Sequence, residues 1–204
     1  MEKRLDANSE LKAMYTAFMH EYLQMGHMKA VQADDEDSTP EYCIPHHCVL
    51  KPDSPTTKLR VVFDASCPTD TGVSLNHVLM VGLVVQDYLR SILLRFRMYK
   101  YAVVGDAEKM YRMVWQQASD QLLHKTFWRD SSQEPLETYK FTTVTYGTSS
   151  VPYLATRCLN KCEDESAERY RAAAAVVEKS FYVDDMMAGS HTIEEGKQLS
   201  KDVL

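Results

Sequence analysis

The stretch FYVDDMMAG, residues 181–189, places two adjacent carboxylates, Asp184 and Asp185, between two short apolar arms. Apolar arms around a short polar step are typical of a β-hairpin with a two-residue turn. Carboxylate oxygens are hard ligands, and magnesium commonly takes one or two of them with water and substrate phosphates. The chain has 29 acidic residues and a second such pair, Asp34-Asp35, in a turn-rich acidic stretch. A solvated surface turn is therefore the competing interpretation of the pair.

A third carboxylate follows another apolar run earlier in the chain. The run YAVVG, residues 101–105, ends directly in Asp106, which predicts a buried strand that delivers a carboxylate to its end. If the two strands are neighbours, Asp106 and Asp184 converge, and clustered carboxylates raise each other's pKa unless a cation lies between them. Two magnesium ions about 3.5–4 Å apart can activate an attacking hydroxyl and stabilise a leaving pyrophosphate. The reaction class that this predicts is phosphoryl transfer.

Hydrophobic periodicity predicts the elements around these strands. The first helix can be capped by Asn8 or Ser9. The fold class predicted is α/β of the α+β type, with a small antiparallel sheet packed on helices. The predicted helices are residues 8–26, 87–98, about 151–162 and about 166–179, and the predicted hairpins are residues 42–64 and 124–147.

Composition bounds the class of protein. Of 204 residues, 45% are hydrophobic and 25% charged, which favours a chain with a sizeable core over a disordered one. The net charge of −6 argues against strong binding of a phosphate backbone unless the basic groups are gathered in one place. Because there is no long apolar run and no signal-peptide pattern, we expect an intracellular protein without a membrane partner.

The five cysteines fit reduced thiols better than a disulfide framework, because their number is odd and their spacing shows no dense pattern. The stretch CIPHHC, residues 43–48, has the residue types of a zinc site. Its spacing is too cramped for paired zinc ligands, and adjacent strand residues point to opposite faces. A strand is therefore the favoured interpretation of this stretch.

Three motifs in order resemble motifs A, B and C of a reverse transcriptase: GDAEKMYRMV (105–114), TVTYGTSSVPYLATRCL (143–159) and FYVDDMMAG (181–189). The preceding stretches, including GVSLNHVL and LLRFR, are similar to the fingers of the BEL/Pao branch of LTR retrotransposons. The resemblance runs from about Leu11 to about Gly189, and its ordered motifs are far more specific than YVDD alone. It implies a polymerase palm-and-fingers fold with inserted fingers hairpins. The implied regions are an N-terminal helix and acidic linker (1–40), a fingers-like region (41–100) and a truncated palm-like region without a thumb (101–204).

The resemblance implies that Asp106, Asp184 and Asp185 are catalytic and bind two magnesium ions, with manganese as an alternative. It implies nucleotide binding by five further residues. Lys51 and Arg60 match positions that grip triphosphate, where Lys supplies a mobile charge and Arg a planar fork of donors; both could instead be solvated strand residues. The other three implied nucleotide-binding residues are Tyr111, Tyr146 and Gly147.

Tyr111 matches the position under the sugar of the incoming nucleotide, where a ring would clash with a 2′-hydroxyl. Core packing is the alternative for Tyr111, because its neighbours are apolar. Tyr146 and Gly147 match the motif B step, where glycine would let the backbone approach the nascent base pair. Pro152 suits the first turn of the following helix, although Val151 stands where Ser or Ala is common.

The activity implied by the resemblance is RNA-directed DNA polymerisation, with an RNA or DNA template-primer and dNTPs as partners. The family works in the cytoplasm, within virus-like particles. Without a thumb, this chain alone is expected to bind its template weakly. Two alternatives stay open: a decayed or domesticated copy that serves as a nucleic-acid-binding or protein-interaction module, and an unrelated metal-dependent phosphotransferase or metal-free domain.

Overall fold

The computed structural model describes residues 1–31, 42–53, 58–166 and 168–203, and the acidic linker predicted over 33–40 lies outside these ranges. Each of its two compact units gathers two stretches of chain. Unit 1 comprises Met1–Met80 and Tyr111–Val151, and unit 2 comprises Val81–Met110 and Pro152–Leu204. Each unit combines distant stretches because strands that are far apart in the sequence pair with each other. The three regions implied by the resemblance stay a prediction.

Unit 1 contains a three-stranded sheet, a separate hairpin and short helices around one long helix. In the sheet, β6 (Glu137–Phe141) lies between β1 (Met28–Ala30) and β5 (Lys125–Trp128), and both pairings are antiparallel. The separate hairpin pairs β2 (His46–Leu50) with β3 (Leu59–Phe63). Both predicted hairpins are thus confirmed, whereas β1 was not predicted. The helices of unit 1 are α1 (Glu2–Asp6), α2 (Ser9–Gln24), α3 (Leu75–Val78) and α5 (Ala118–Gln121).

The long helix α2 organises the core of unit 1. It begins as predicted, since the Asn8 side chain accepts a hydrogen bond from the Leu11 amide at 2.9 Å. Its apolar face belongs to a continuous hydrophobic cluster that includes buried residues of β3, β5 and β6. The buried residues of α2 are Leu11, Tyr15, Met19 and Tyr22.

Unit 2 contains a three-stranded antiparallel sheet with helices packed on it. Its strand order is β4 (Tyr101–Asp106), β8 (Asp185–Ser190) and β7 (Phe181–Tyr182). Helices from the chain on both sides of β7 and β8 contact this sheet. The helices of unit 2 are α4 (Leu89–Phe96), α6 (Val151–Ser166), α7 (Arg171–Ser180) and α8 (Ile193–Val203). The first residue of α6, Val151, is assigned to unit 1.

Strand β4 forms where the sequence predicts it, but it is not the buried strand that was expected. Val104 is 68% exposed, and Ala102, Gly105 and Asp106 are also exposed. Val103, on the opposite face, lies next to Gly196 of α8. The prediction was wrong because a β-branched run is apolar whether one or both faces of its sheet are covered. Within the described part of the chain, no helix is both long and apolar enough to cross a membrane.

Candidate functional site

The predicted carboxylates lie at one end of the unit 2 sheet. Strands β4 and β8 pair so that Asp106 is opposite Asp185. Opposed residues of antiparallel strands have Cα atoms about 4.5–5.5 Å apart and side chains on the same face. Asp184 lies in the adjoining turn, where its carbonyl oxygen accepts a hydrogen bond from the Ala107 amide at 2.8 Å. The fold therefore brings Asp106 and Asp185 to opposed positions on two strands from distant stretches of sequence, and Asp184, in the turn, directly precedes Asp185. All three residues are exposed.

The turn that carries Asp184 is strained. Tyr182 pairs with Asp185, so Val183 and Asp184 form a two-residue loop. The loop lies one residue earlier than the predicted Asp184-Asp185 turn, because Asp185 already belongs to β8. Val183 has a φ of +59°, in the left-handed region. A β-branched residue rarely adopts this conformation, which costs about 1–3 kcal/mol and persists only where surrounding contacts hold it.

A second strained residue follows Asp106 closely in the sequence. Lys109, three positions after Asp106, has a φ of +54°. Among the described residues other than glycine, Lys109 and Val183 are the two with positive φ. Backbone strain of this kind collects at functional sites, where a special geometry is held by the rest of the fold. Its position beside the carboxylates supports a functional assignment for this end of the sheet.

The side chains of Asp106 and Asp185 are carboxylates, which are ligands of the type that magnesium takes. Magnesium is commonly held by one or two carboxylates and keeps water or substrate oxygens in its other positions. Asp106 and Asp185 share one exposed face, which leaves room for such oxygens. In residues 1–31, 42–53, 58–166 and 168–203, no three His, Cys, Asp or Glu side chains are grouped closely enough to hold a metal. Binding here would thus depend on opposed carboxylates completed by water or substrate.

The two predicted triphosphate-binding cations lie in unit 1, in the β2–β3 hairpin. Lys51 directly follows β2, and its amide donates a hydrogen bond to the Lys58 carbonyl at 2.8 Å. Arg60 points outward from β3, whereas the residues on either side of it are buried. Both side chains are exposed, and within the described residues neither forms an ion pair.

Tyr111 lies in a 3₁₀ turn (Met110–Met113) and is half-buried. Its neighbour Arg112, which the sequence analysis missed, is the residue that enters the core, with 9% exposure. The Arg112 guanidinium donates hydrogen bonds to His27 Nδ1 at 3.0 Å and to Glu21 Oε1 at 3.1 Å. It also lies 4.2 Å from the centre of the Tyr22 ring. Arg112 thus anchors the backbone of Tyr111 to α2; a cation inside an apolar stretch was its signal in the sequence.

The predicted motif B step, Tyr146-Gly147, packs against β3. The Tyr146 ring centroid is 5.6 Å from that of Phe63, and burial raises the pKa of Tyr146, with Arg60 among the charges that oppose this rise. Gly147 has a φ of +103°, and a Cβ there would lie 1.9 Å from the Phe63 carbonyl oxygen. The backbone of unit 1 therefore already requires glycine at this position.

Asn76 of α3 is a second residue that sequence reasoning missed. Its Nδ2 donates hydrogen bonds to the Gly147 carbonyl at 2.9 Å and to Ser66 Oγ at 2.8 Å. Its Oδ1 accepts a hydrogen bond from the Ser149 amide at 2.8 Å. One side chain therefore fixes the 147–149 turn from both sides.

The architecture is that of a reverse transcriptase-like α+β fold. Among solved structures, the chain is similar to the protease-reverse transcriptase of prototype foamy virus, studied as its CSH mutant, with a TM-score of 0.68. The two are 17% identical, and the similarity covers 96% of this chain and 22% of the viral one. At this identity the likeness shows the fold alone. No protein-family model matches the chain, and no curated protein matches it by sequence.

Proposed function

We propose that this chain forms part of the fingers and palm of a BEL/Pao-type reverse transcriptase, an RNA-directed DNA polymerase. The observation that carries the proposal is the β4–β8 register, which sets Asp106 opposite Asp185 beside a strained two-residue turn. These carboxylates belong to stretches that resemble motifs A and C, in the order of that family. The reverse transcriptase-like fold supports the same assignment.

In the proposed reaction, a primer 3′-hydroxyl attacks the α-phosphate of a dNTP and pyrophosphate leaves. Asp106, Asp184 and Asp185 would hold two magnesium ions, for which manganese could substitute. Bound ions would promote deprotonation of the attacking hydroxyl and neutralise charge on the leaving pyrophosphate. The contribution of the chain is to fix two opposed carboxylates on a rigid ladder and to leave their outer face open to phosphate oxygens.

Five further residues matched by the resemblance would recognise the nucleotide. Lys51 and Arg60 are exposed cations without an acidic partner in the described residues, which suits them to triphosphate oxygens. Tyr111 would lie under the sugar and discriminate against a 2′-hydroxyl, and Arg112 anchors its backbone. Tyr146 and Gly147 would contact the nascent base pair.

The proposed partners are an RNA or DNA template-primer and dNTPs, in a cytoplasmic virus-like particle. The net charge of −6 implies that this chain alone binds the template-primer weakly, and binding through phosphate contacts would weaken further as the salt concentration rises. Binding assays therefore belong at low ionic strength.

The test is incorporation of one dNTP on a primed RNA template by the full chain at low salt, with and without magnesium. We expect magnesium-dependent extension by the wild type and none by Asp184→Asn, which keeps the shape of the side chain but removes its charge. Asp70→Asn is the matched control, because Asp70 is an exposed aspartate in unit 1. It should extend the primer like the wild type.

Equal extension by the wild type and Asp184→Asn would contradict the catalytic assignment. If neither extends the primer, filter binding of the primed template against salt decides between the remaining readings. Salt-dependent binding without extension would support an inactive nucleic-acid-binding copy. Absence of both would contradict any nucleic-acid role.

A further inference from the structure

The amide of Val183 needs a partner outside its own hairpin. Val183 is the first residue of the two-residue loop between β7 and β8, and ladder pairing resumes at Asp185. Its φ of +59° turns the backbone away from the strand direction. A buried or half-buried amide without an acceptor is unfavourable, so a strained loop residue with a free amide would relax.

The partner is the side chain of Gln86, 97 positions earlier. The Val183 amide donates a hydrogen bond to Gln86 Oε1 at 3.0 Å, and both residues are half-buried. Gln86 lies just before α4, in an irregular segment that makes no strand. Its side chain is therefore a specific acceptor for a single amide, the one at the strained residue.

The segment that carries Gln86 is docked on α6. Asn160 Nδ2 donates a hydrogen bond to the Val85 carbonyl at 3.2 Å. Seven residues earlier on the same helix, Tyr153 packs so closely against Gly82 that a Cβ there would lie 2.3 Å from the ring. Residues seven apart share one helix face. Residues 82 and 85 thus contact α6 at two points. These contacts fix the backbone position of the next residue, Gln86.

A second brace follows Gln86. Arg95 of α4 donates hydrogen bonds to Asp87 Oδ2 at 2.6 Å and to the Lys179 carbonyl at 2.5 Å. Lys179 lies near the end of α7, directly before β7. Arg95 therefore connects Asp87, the residue after Gln86, to Lys179 at the end of the helix that precedes the strained hairpin. The distance between Gln86 and the turn is set from both chain directions.

On its other side the turn is held by the strand that carries the remaining carboxylate. The Ala107 amide donates a hydrogen bond to the Asp184 carbonyl at 2.8 Å, one residue after Asp106. Both loop residues therefore form hydrogen bonds outside their hairpin: Val183 with the Gln86 side chain and Asp184 with the Ala107 backbone amide. Without the first hydrogen bond, the strained Val183 would lose its side-chain partner, whereas the β4–β8 pairing of Asp106 with Asp185 would remain.

We propose that Gln86 is a positioning residue of the carboxylate site: it holds Val183 in the left-handed conformation of the turn that carries Asp184 and leads into Asp185, the residue opposite Asp106. The catalytic meaning of this inference rests on the proposed polymerase function. The positional meaning does not, because it concerns the geometry of the hairpin in the absence of metal or nucleotide.

Two variants distinguish the role of the Gln86 acceptor oxygen from the role of the side chain's volume: Gln86→Met and Gln86→Glu. Methionine has a similar length and no strong acceptor, whereas glutamate keeps the acceptor oxygen. Gln117→Met is the matched control, because Gln117 is exposed and its side chain makes no capping hydrogen bond. Val183→Gly tests the strain, since glycine adopts positive φ without a Cβ penalty.

The first measurement is amide hydrogen exchange of the full chain by NMR, without metal or nucleotide. We expect exchange at Val183 to accelerate about tenfold or more in Gln86→Met, through loss of one hydrogen bond at a half-buried amide. Gln86→Glu and Gln117→Met should leave it near the wild-type rate. Unchanged exchange at Val183 in Gln86→Met would overturn the proposal, whatever the enzyme assays show.

The second measurement is single-nucleotide incorporation with the same proteins. Gln86→Met should lower kcat about tenfold while KM for dNTP changes less than about twofold, because the carboxylates and not the nucleotide contacts are displaced. Gln86→Glu should recover most of kcat, and Val183→Gly should reduce the effect of Gln86→Met. Wild-type kcat in a Gln86→Met protein whose Val183 amide is deprotected would refute the positioning role. Inactivity of the wild type itself would refute the proposed function and leave the exchange result to judge Gln86.

Discussion

The turns at Gly147 and at Val183 both adopt positive φ, but they reach it by different means. Gly147 has a φ of +103° and no Cβ to oppose it, and its position against the Phe63 carbonyl excludes any other residue. Val183 has a φ of +59° and a β-branched side chain, and it donates its amide to Gln86. The first turn is specified by the residue type at the turn, and the second is held by a contact from a distant segment.

The largest effect should come from a Cβ at the first turn. Gly147→Ala is expected to lower the free energy of unfolding by about 3 kcal/mol or more, through positive φ together with overlap on backbone that cannot rotate away. Urea denaturation measures it. Gly72→Ala is the matched control, because Gly72 has a φ of +77° and nothing within 4 Å of its Cβ position. It should cost about 1 kcal/mol, and equal losses in both variants would show that the Phe63 contact is unimportant.

A smaller loss of stability is expected when the first turn keeps Gly147 but loses its hydrogen bonds to Asn76. Asn76→Ala removes the bonds to the Gly147 carbonyl and the Ser149 amide, which should cost about 2 kcal/mol in unfolding free energy. Asn76→Asp keeps the acceptor for Ser149 and should lose less. Two variants of equal stability would mean that the Asn76 oxygen contributes nothing to the turn.

At the second turn, relief of strain should be visible as a gain. Val183→Gly is expected to raise the unfolding free energy by about 0.5–1 kcal/mol, because the strain at positive φ exceeds the added entropy of glycine in the unfolded chain. Thermal and urea unfolding at one pH measure it. A loss of stability would indicate that packing of the valine side chain outweighs its backbone strain.

The smallest effect concerns acid, which should act on the unit that contains the Gly147 turn. Burial lowers the pKa of His46 and of His124, both in unit 1. His46 Nε2 donates a hydrogen bond to the Phe127 carbonyl at 2.8 Å, and its Nδ1 accepts one from the Tyr15 hydroxyl. Below about pH 6.5 these two histidines therefore bind protons in the unfolded chain more readily than in the folded one.

Stability should consequently be constant above about pH 7.5 and fall as the pH drops through 6.5 toward the lowered pKa of the folded state. Urea titrations at a series of pH values measure this slope, and His46→Gln should make it shallower. A slope of the opposite sign would mean that these histidines are stabilised as cations in the fold.

Local patterns explain what the sequence predicted correctly. Asn8 before an apolar periodicity located the start of α2, and the apolar arms around Asp184-Asp185 predicted a two-residue hairpin, although its loop is Val183-Asp184. The capping box of α8 was also local, since Thr192 and Glu195 exchange hydrogen bonds at 3.1 and 3.2 Å. That signal was present in the sequence and was missed.

Other features depend on partners far away in the sequence. β1 is three residues long and exists because it pairs with β6, more than a hundred positions later. The exposure of β4 depends on which face the helices cover, which a run of apolar residues does not encode. The side chains of Gln86 and Asn76 each form hydrogen bonds to the backbone of a turn that is distant in the sequence. No periodicity or spacing marks such residues.

The central claim is that carboxylates of β4 and β8 act as one site. Its most direct test is magnesium-dependent single-nucleotide incorporation by Asp106→Asn, Asp185→Asn and the double variant. If the two residues act as a unit, each single variant should lose about a thousandfold or more in kcat, and the double variant should lose no more than the worse single one. Losses that multiply in the double variant, or wild-type activity in either single variant, would contradict the claim.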